Sequence, residues 1–216
     1  MRYKYIMFDL DGTLNDSGPG IKKGFEYAIK KMGGEVRDEA WLGQFIGPPL
    51  EESFGDILGY KGDDIQKGIR FFREYYFEMG GITDCMIYPG IIELLEELKS
   101  RGYVLIVATS KLDRGADIVL SHFDLKKYFD LVACTNDGTI RTKTDVIKHA
   151  LDTFGIKDPG EALMVGDRHY DIDSASELGL DSVGVLFGYG SREELESAGA
   201  TYIVEQPKDI LDIVEK

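Results

Sequence analysis

Five short, almost continuously apolar runs constrain the fold of this chain more than any other feature of its sequence. They are YKYIMFD (3–9), YVLIVAT (103–109), FDLVAC (129–134), ALMVGD (162–167) and DSVGVLF (181–187). Runs of this length without apolar and polar alternation are typical of strands buried on both faces of a parallel sheet. Segments with helical periodicity lie between most of them. Strand and helix alternating in this way predict a doubly wound α/β core.

One long interval breaks this alternation. From residue 16 to residue 84 we find no convincing strand, whereas GIKKGFEYAIKKMG and DDIQKGIRFFREYYFEMGG both have helical periodicity. Connections within an α/β core are usually much shorter. We therefore predict a core formed by residues 1–15 and 85–216 and an inserted, all-helical cap domain formed by residues 16–84.

The end of the chain, GYGSREELESAGATYIV (188–204), predicts a loop, a short helix and a final strand. We interpret Gly188 and Gly190 as residues that give the loop freedom to turn. No separate chemistry is assigned to this segment.

The balance of charges limits the partners. The chain has 25 Lys and Arg residues against 39 Asp and Glu residues, a formal net charge of −14. Nucleic acid backbones are held by clusters of Lys and Arg, so we expect no nucleic acid polymer as a partner. The sequence shows no secretory signal pattern and no apolar run of membrane-spanning length, so we expect no membrane association and a cytoplasmic location.

Polar side chains follow the apolar runs where a parallel sheet binds its ligands. The first run ends at Asp9, the second at Thr109 and Ser110, and the fourth at Asp167. Lys143 lies near the start of the helix that precedes the fourth run. Ligands bind beyond the carboxyl ends of the strands in an open parallel sheet, so we expect these side chains to converge there.

The residue types at these positions fit phosphoryl transfer. The Asp9 carboxylate can act as a nucleophile. Asp11, two residues further on, can protonate a leaving oxygen and later activate water. The hydroxyl of Thr109 and the ammonium of Lys143 can neutralise the oxygens of a phosphoryl group in transfer.

The acidic residues of this set also predict a metal. Asp9, Asp11, Asp167 and Asp171 would repel one another and any phosphate if they met without a cation. Oxygen ligands beside a phosphate favour Mg²⁺. We therefore expect Mg²⁺ as the cofactor.

With these motifs the sequence resembles the haloacid dehalogenase (HAD) superfamily of phosphotransferases over its entire length. DLDGTL (9–14) matches the opening motif of the family, Thr109 the second, Lys143 the third, and Gly166-Asp167 with Asp171 the fourth. The resemblance implies a Rossmann-like core. The helical insert is similar to the cap of the subgroup that includes phosphoglycolate phosphatases, bacterial 5′-nucleotidases and β-phosphoglucomutases.

The resemblance also implies a role for each motif residue. Asp9 is expected to be the nucleophile and a Mg²⁺ ligand. Asp11 is expected to be the general acid and base and to lend its backbone carbonyl to the metal. Asp167 is expected to ligate Mg²⁺ directly, and Asp171 to hold waters bound to the metal.

Further residues are expected on the substrate side of the site. They are Gly12, Thr13, Ser110 and Lys111 near the strand ends, and Gly47 and Pro48 in a cap loop that reaches over the active site in the family.

Three positions leave alternatives open. Lys143 is followed by Thr144 where the family often has proline, so Arg141 and Lys148 are rivals for its role. His169 is interpreted as a loop residue rather than a base, because Asp11 already fills that role. Asp16 either faces the cleft or caps the first cap helix, and we favour the N-cap.

The sequence therefore predicts a Mg²⁺-dependent phosphatase that hydrolyses a small soluble phosphomonoester through an aspartyl-phosphate intermediate, as a monomer or homodimer. Phosphoglycolate and nucleoside monophosphates are the leading substrates. A β-phosphoglucomutase-type phosphosugar mutase is the alternative, although such mutases have Glu-Asp where this chain has Gly166-Asp167. A non-catalytic binding or regulatory protein and a dehalogenase are further alternatives. The intact acid set argues against the former, and dehalogenase chemistry needs neither Asp11 nor Mg²⁺.

Overall fold

A computed structural model describes residues 2–136 and 138–215 of the chain. The chain divides into two compact units, one formed by Met1–Asp16 with Ile87–Lys216 and the other by Ser17–Met86. These boundaries lie within two residues of those expected from the sequence. The first unit is built of strands and helices and the second almost entirely of helices. That the helical unit acts as a cap stays a prediction.

The described residues form eight strands. They are β1 (Tyr5–Phe8), β2 (Asn15–Asp16), β3 (Met86–Ile87), β4 (Val104–Leu112), β5 (Leu131–Thr135), β6 (Ala162–Gly166), β7 (Asp181–Val185) and β8 (Tyr202–Val204). Six of them form one parallel sheet in the order β5-β4-β1-β6-β7-β8, and β2 pairs with β3 in a separate sheet. The strand order reverses direction at β1, which is the switch point of a doubly wound fold. The predicted fold class is confirmed.

The α-helices of the described residues are α1 (Gly18–Lys31), α2 (Glu39–Gly43), α3 (Leu50–Glu52), α4 (Asp63–Arg73), α5 (Ile91–Ser100), α6 (Asp113–His122), α7 (Lys143–Phe154), α8 (His169–Glu177), α9 (Arg192–Ser197) and α10 (Asp209–Val214). Turns of π-helix cover Ser53–Ile57 and Glu74–Glu78, and 3₁₀ turns cover Gly81–Thr83, Lys126–Tyr128 and Pro159–Glu161. Among the described helices, none combines the length and the apolar character that a membrane crossing requires.

The sheet is buried on both faces, which explains its uninterrupted apolar runs. All four residues of β1 are buried. Successive side chains of a strand point to opposite faces, so Tyr5 and Met7 share one face. They pack there in a cluster that includes Ile106 of β4 and Val146 of α7. A strand covered on both sides has no position where a polar side chain could reach water.

The helical unit has an apolar core of its own, built from aromatic rings. Phe25 of α1 lies at the centre, and its ring centroid is 4.5 Å from that of Phe45 and 4.8 Å from that of Phe72. Phe54 and Tyr76 complete this cluster. Each of these rings is buried, so the insert packs around its own centre.

Candidate active site

The turn after β1 places two carboxylates at the carboxyl edge of the sheet. The Asp9 N–H donates to the Val165 carbonyl at 2.9 Å, which continues the pairing of β1 with β6 by one residue. The chain then turns so that the Leu10 carbonyl accepts from the N–H of both Leu14 and Asn15. Gly12 has a φ of +88°, and a Cβ there would overlap the carboxylate of Asp167. Glycine is therefore required at this position by conformation and by space.

Three carboxylates meet beyond the ends of β1 and β6. One oxygen from each of Asp9, Asp167 and Asp171 lies within 4.8 Å of the others. Asp167 directly follows β6, and Asp171 lies in the first turn of α8. Gly166 makes this approach possible, because a Cβ there would overlap the Asp171 carboxylate. Three of the four residues that the sequence assigns to the metal, all except Asp11, are thus brought together at the switch point of the sheet.

Lys143 places an ammonium in contact with two of these carboxylates, those of Asp9 and Asp171. It is the first residue of α7, and its ammonium donates to Asp9 Oδ1 at 2.7 Å and to the Ala108 carbonyl at 2.9 Å. The same Nζ lies 2.9 Å from Asp171 Oδ1. The rivals Arg141 and Lys148 are both exposed, and Arg141 Nε donates to the Gly138 carbonyl. The geometry therefore favours Lys143 over its rivals.

Burial and crowding shift the titration of the carboxylate cluster. Burial raises the pKa of Asp9 to about 6, with Lys143 opposing the shift and Asp171 adding to it. Burial raises the pKa of Asp167 well above its usual range, and the charges of Asp171 and Asp9 raise it further. Burial alone would lower the pKa of Lys143, but Asp171 and Asp9 hold it above its ordinary value. Burial and the neighbouring carboxyl groups thus outweigh the opposing effect of Lys143 on the pKa of Asp9.

This donor set fits a hard divalent cation. Carboxylate oxygens are the ligands that Mg²⁺ prefers in proteins. Asp9, Asp167 and Asp171 offer three of them in one place. The raised carboxyl pKa values of Asp9 and Asp167 mark a site where an added positive charge would be stabilising. The residues present thus fit the Mg²⁺ that the sequence predicts.

Asp11 lies beside this cluster, in contact with a second lysine. Lys111 Nζ donates to Asp11 Oδ2 at 2.7 Å, and the Lys111 side chain is 9% exposed. The other oxygen, Asp11 Oδ1, is buried and has no hydrogen-bond partner within the described part of the chain. One carboxylate oxygen of Asp11, the proposed general acid, is therefore hydrogen-bonded to Lys111, and the other has no such bond among the described residues.

The second predicted motif lies in a strand that is longer than the sequence suggests. β4 continues to Leu112, with an irregular register between Thr109 and Leu112. Thr109 is buried, and its hydroxyl accepts from the Lys111 N–H at 3.1 Å. Ser110 is exposed. The irregularity accompanies a change of environment from the buried Thr109 to the exposed Ser110.

The other residues predicted for substrate binding lie in different places. Thr13 is buried, and its hydroxyl donates to Asp167 Oδ1 at 3.3 Å. Thr13 therefore contacts a proposed metal ligand. Gly47 and Pro48 belong to the helical unit. Their assignment to the substrate stays a prediction.

The loop after β7 contributes to the site, although no chemistry is expected of it from the sequence. The Tyr189 N–H donates to Asp167 Oδ2 at 2.9 Å. Gly188 lies in a bend of this loop, and neither Gly188 nor Gly190 has a positive φ. A Cβ on Gly188 would overlap Asp167, and one on Gly190 would overlap its carbonyl oxygen. Two glycines flank an aromatic residue soon after a buried strand in the sequence, but nothing in this pattern points to Asp167.

Asp16 and His169 also have defined contacts. The N-cap of α1 is Ser17, so the interpretation of Asp16 as the cap is wrong. Asp16 Oδ1 instead accepts from the Tyr189 hydroxyl at 2.6 Å. His169 begins α8, and its Nδ1 lies 2.9 Å from Asp173 Oδ2. An exposed contact of this kind agrees with the expectation that His169 does not act as a base in the reaction.

Fold and site together define a phosphotransferase-type hydrolase. The chain belongs to the haloacid dehalogenase-like hydrolase family, whose model matches residues 6–185. A 5′-nucleotidase of Pseudomonas aeruginosa is 37% identical over 203 residues, which cover 94% of this chain and 91% of that protein. The tyrosine-protein kinase PtkA of Mycobacterium tuberculosis is 34% identical over 199 residues, which cover 92% of this chain and 67% of the kinase.

A solved structure supports the same family. A haloacid dehalogenase-like hydrolase from Streptococcus pneumoniae superposes with a TM-score of 0.92 at 33% identity, over 98% of both chains. The likeness therefore extends over the α/β unit and the helical insert alike.

Proposed function

We propose that this protein is a Mg²⁺-dependent phosphatase that hydrolyses a small soluble phosphomonoester through an aspartyl-phosphate on Asp9. The enzyme class, a phosphoric monoester hydrolase, is that of the HAD phosphatases to which the chain is related. The observation that carries the proposal is the meeting of Asp9, Asp167 and Asp171 with Lys143 at the switch point. The proposed location is the cytoplasm.

The proposed reaction has two steps. A carboxylate oxygen of Asp9 attacks the phosphorus, the bond from phosphorus to the ester oxygen breaks, and the Asp11 carboxyl gives its proton to the leaving alkoxide. Asp11, now a carboxylate, takes a proton from water as that water attacks the phosphorus of the acyl phosphate, and the bond from phosphorus to the Asp9 oxygen breaks. Inorganic phosphate leaves, and Asp9 and Asp11 regain their starting forms.

Other residues of the site support this reaction. Lys143 and Thr109 would neutralise the oxygens of the phosphoryl group. Asp9 and Asp167 would ligate Mg²⁺ directly, together with the backbone carbonyl of Asp11, and Asp171 would hold waters bound to the metal. When bound, the cation offsets the repulsion between the carboxylates and the phosphate.

For the substrate class, we place nucleoside 5′-monophosphates first and phosphoglycolate second. The relative named 5′-nucleotidase spans nearly the whole chain, which supports this order. The mutase alternative is weakened by Gly166, because even a Cβ at this position would overlap Asp171, and a glutamate could not be added without movement.

The test is phosphate release from purine and pyrimidine 5′-monophosphates, phosphoglycolate, hexose 6-phosphates and glucose 1-phosphate, each with Mg²⁺ and with excess chelator. We expect Mg²⁺-dependent release, fastest from one of the first two classes. Conversion of β-glucose 1-phosphate to its 6-phosphate without release would favour the mutase instead. Phosphate transfer from ATP to a tyrosine peptide, without hydrolysis of any ester, would favour the activity named for PtkA.

Replacement of Asp11 by asparagine is expected to lower turnover by roughly 10²–10⁴-fold, the usual contribution of general acid and base catalysis. The amide cannot give or take the proton that each step needs. Esters with a good leaving group, such as p-nitrophenyl phosphate, need less acid help, so the loss in their first step should be smaller. An equal loss with p-nitrophenyl phosphate and a nucleotide, measured as single-turnover rates, would contradict this role.

A further inference from the structure

We propose that Gly188-Tyr189-Gly190, here named the GYG clamp, positions Asp167 for metal binding and that the Tyr189 hydroxyl acts through its bond to Asp16. The inference rests on the proposed function, because it takes Asp167 as a ligand of Mg²⁺. Tyr189 is a positioning residue in this account and does not contact the substrate.

The backbone of the clamp holds the carboxylate directly. The Tyr189 N–H donates to Asp167 Oδ2 at 2.9 Å, while the Thr13 hydroxyl donates to Oδ1 at 3.3 Å. Each oxygen of the buried carboxylate thus has a donor, and the two donors come from different segments of the chain. A carboxylate held at both oxygens has little freedom to rotate, so its remaining lone pairs have a defined direction.

The two glycines let the clamp come this close. A Cβ on Gly188 would overlap both the Gly12 carbonyl oxygen and the Asp167 side chain, and a Cβ on Gly190 would overlap the Asp167 carbonyl oxygen. Neither glycine has a positive φ. Close approach of backbone to backbone is therefore the reason for glycine at both positions.

The tyrosine side chain anchors the clamp at a second point. Its hydroxyl donates to Asp16 Oδ1 at 2.6 Å, and Tyr88 lies close enough to interact with both Tyr189 and Asp16. The Tyr88 ring in turn packs edge-on against Phe187, with 5.3 Å between ring centroids. Hydrogen bonds to an ionised acceptor are among the stronger ones in proteins. Loss of the hydroxyl should therefore loosen the backbone that holds Asp167.

The test is the affinity for Mg²⁺ alone, measured by isothermal titration calorimetry on the full chain. Tyr189→Phe keeps the ring and the backbone N–H but removes the hydroxyl. We expect its Kd for Mg²⁺ to rise by about 10-fold, the lower end of the effect of residues that support metal ligands. Circular dichroism and thermal unfolding in chelator should show a folded protein.

The matched control is Tyr128→Phe, which removes another hydroxyl bonded to a carboxylate, that of Glu96 at 3.0 Å. Its Kd for Mg²⁺ should equal that of the wild type. An unchanged Kd in Tyr189→Phe, or an equal rise in both variants, would overturn the clamp while leaving the proposed function intact. Wild-type protein that does not bind Mg²⁺ would overturn both.

A double-mutant cycle with Asp16→Ala tests the proposed route. If the hydroxyl acts through Asp16, each single variant weakens Mg²⁺ binding and the double variant is no weaker than Tyr189→Phe alone. Fully additive losses would show that the two side chains act separately and would overturn this part of the proposal.

Discussion

Replacement of Asp9 by asparagine is expected to abolish turnover of every ester that the wild-type protein hydrolyses. The amide has nearly the same shape, but it lacks the anionic oxygen that attacks phosphorus. It also removes a carboxylate from the cluster that Lys143 contacts at 2.7 Å. The measurement is phosphate release at saturating Mg²⁺, so that weaker metal binding does not by itself explain the loss.

The matched control for this prediction is Asp173→Asn. Asp173 lies on α8 near the cluster, its side chain is 59% exposed, and its carboxylate contacts His169. It should keep wild-type activity. Full activity in Asp9→Asn, or an equal loss in both variants, would remove the nucleophile from the proposed mechanism.

Replacement of Lys143 by methionine is expected to lower the free energy of unfolding of the metal-free protein by about 3–5 kcal/mol at pH 8, as the loss of one partner from a buried ion pair does. Methionine has a similar length but leaves Asp9 and Asp171 without their cation. The variant should also lose activity, because the ammonium would no longer neutralise the phosphoryl oxygens.

The stability loss in Lys143→Met should depend on pH. When folding raises the pKa of a carboxylic acid, its ionised form destabilises the native state, and this destabilisation is relieved as the pH falls and the acid is protonated. The pKa of Asp9 is already raised to about 6 with Lys143 present, and it rises further without it. At pH 5 the Asp9 carboxylate can take up a proton, so the loss should be smaller there than at pH 8.

Urea denaturation in excess EDTA at pH 5 and pH 8 measures this difference. Lys148→Met, an exposed lysine of the same helix, is the control and should change stability little at either pH. A loss in Lys143→Met that is equal at the two pH values would show that packing, rather than the charge of Lys143, stabilises this site.

The fold could be predicted because its signals are local. A strand buried on both faces needs an unbroken apolar run, and all five runs coincide with strands of the sheet. Because ligands bind at the carboxyl ends of the strands in a parallel sheet, Asp9, Thr109 and Asp167 could be placed at one edge without any knowledge of side-chain contacts. Lys143 could be placed at the same edge because it begins the helix before β6.

The contacts that could not be predicted join segments with no local signal for each other. Lys111 and Asp11 are 100 positions apart, and their pairing depends on the irregular end of β4. The hydrogen bond from the Tyr189 N–H to the Asp167 carboxylate uses a backbone donor, so no particular residue type at position 189 predicts it. The glycines on either side of Tyr189 suggest a flexible turn as readily as close packing. Asp16 has the residue type of an N-cap, but its hydroxyl partner lies 173 positions away.

In the proposed reaction Asp9 carries the phosphoryl group between the two steps, and this phosphoryl group can be searched for on the protein itself. Asp11→Asn protein, in which the second step is slowed, would be mixed with p-nitrophenyl phosphate and Mg²⁺, quenched in acid within one turnover, digested and mapped by mass spectrometry. We predict one phosphoryl group on the peptide that contains Asp9, absent when chelator replaces Mg²⁺ and absent in Asp9→Asn. A phosphoryl group on another peptide, or p-nitrophenol release with no labelled peptide in the same quench, would contradict the account.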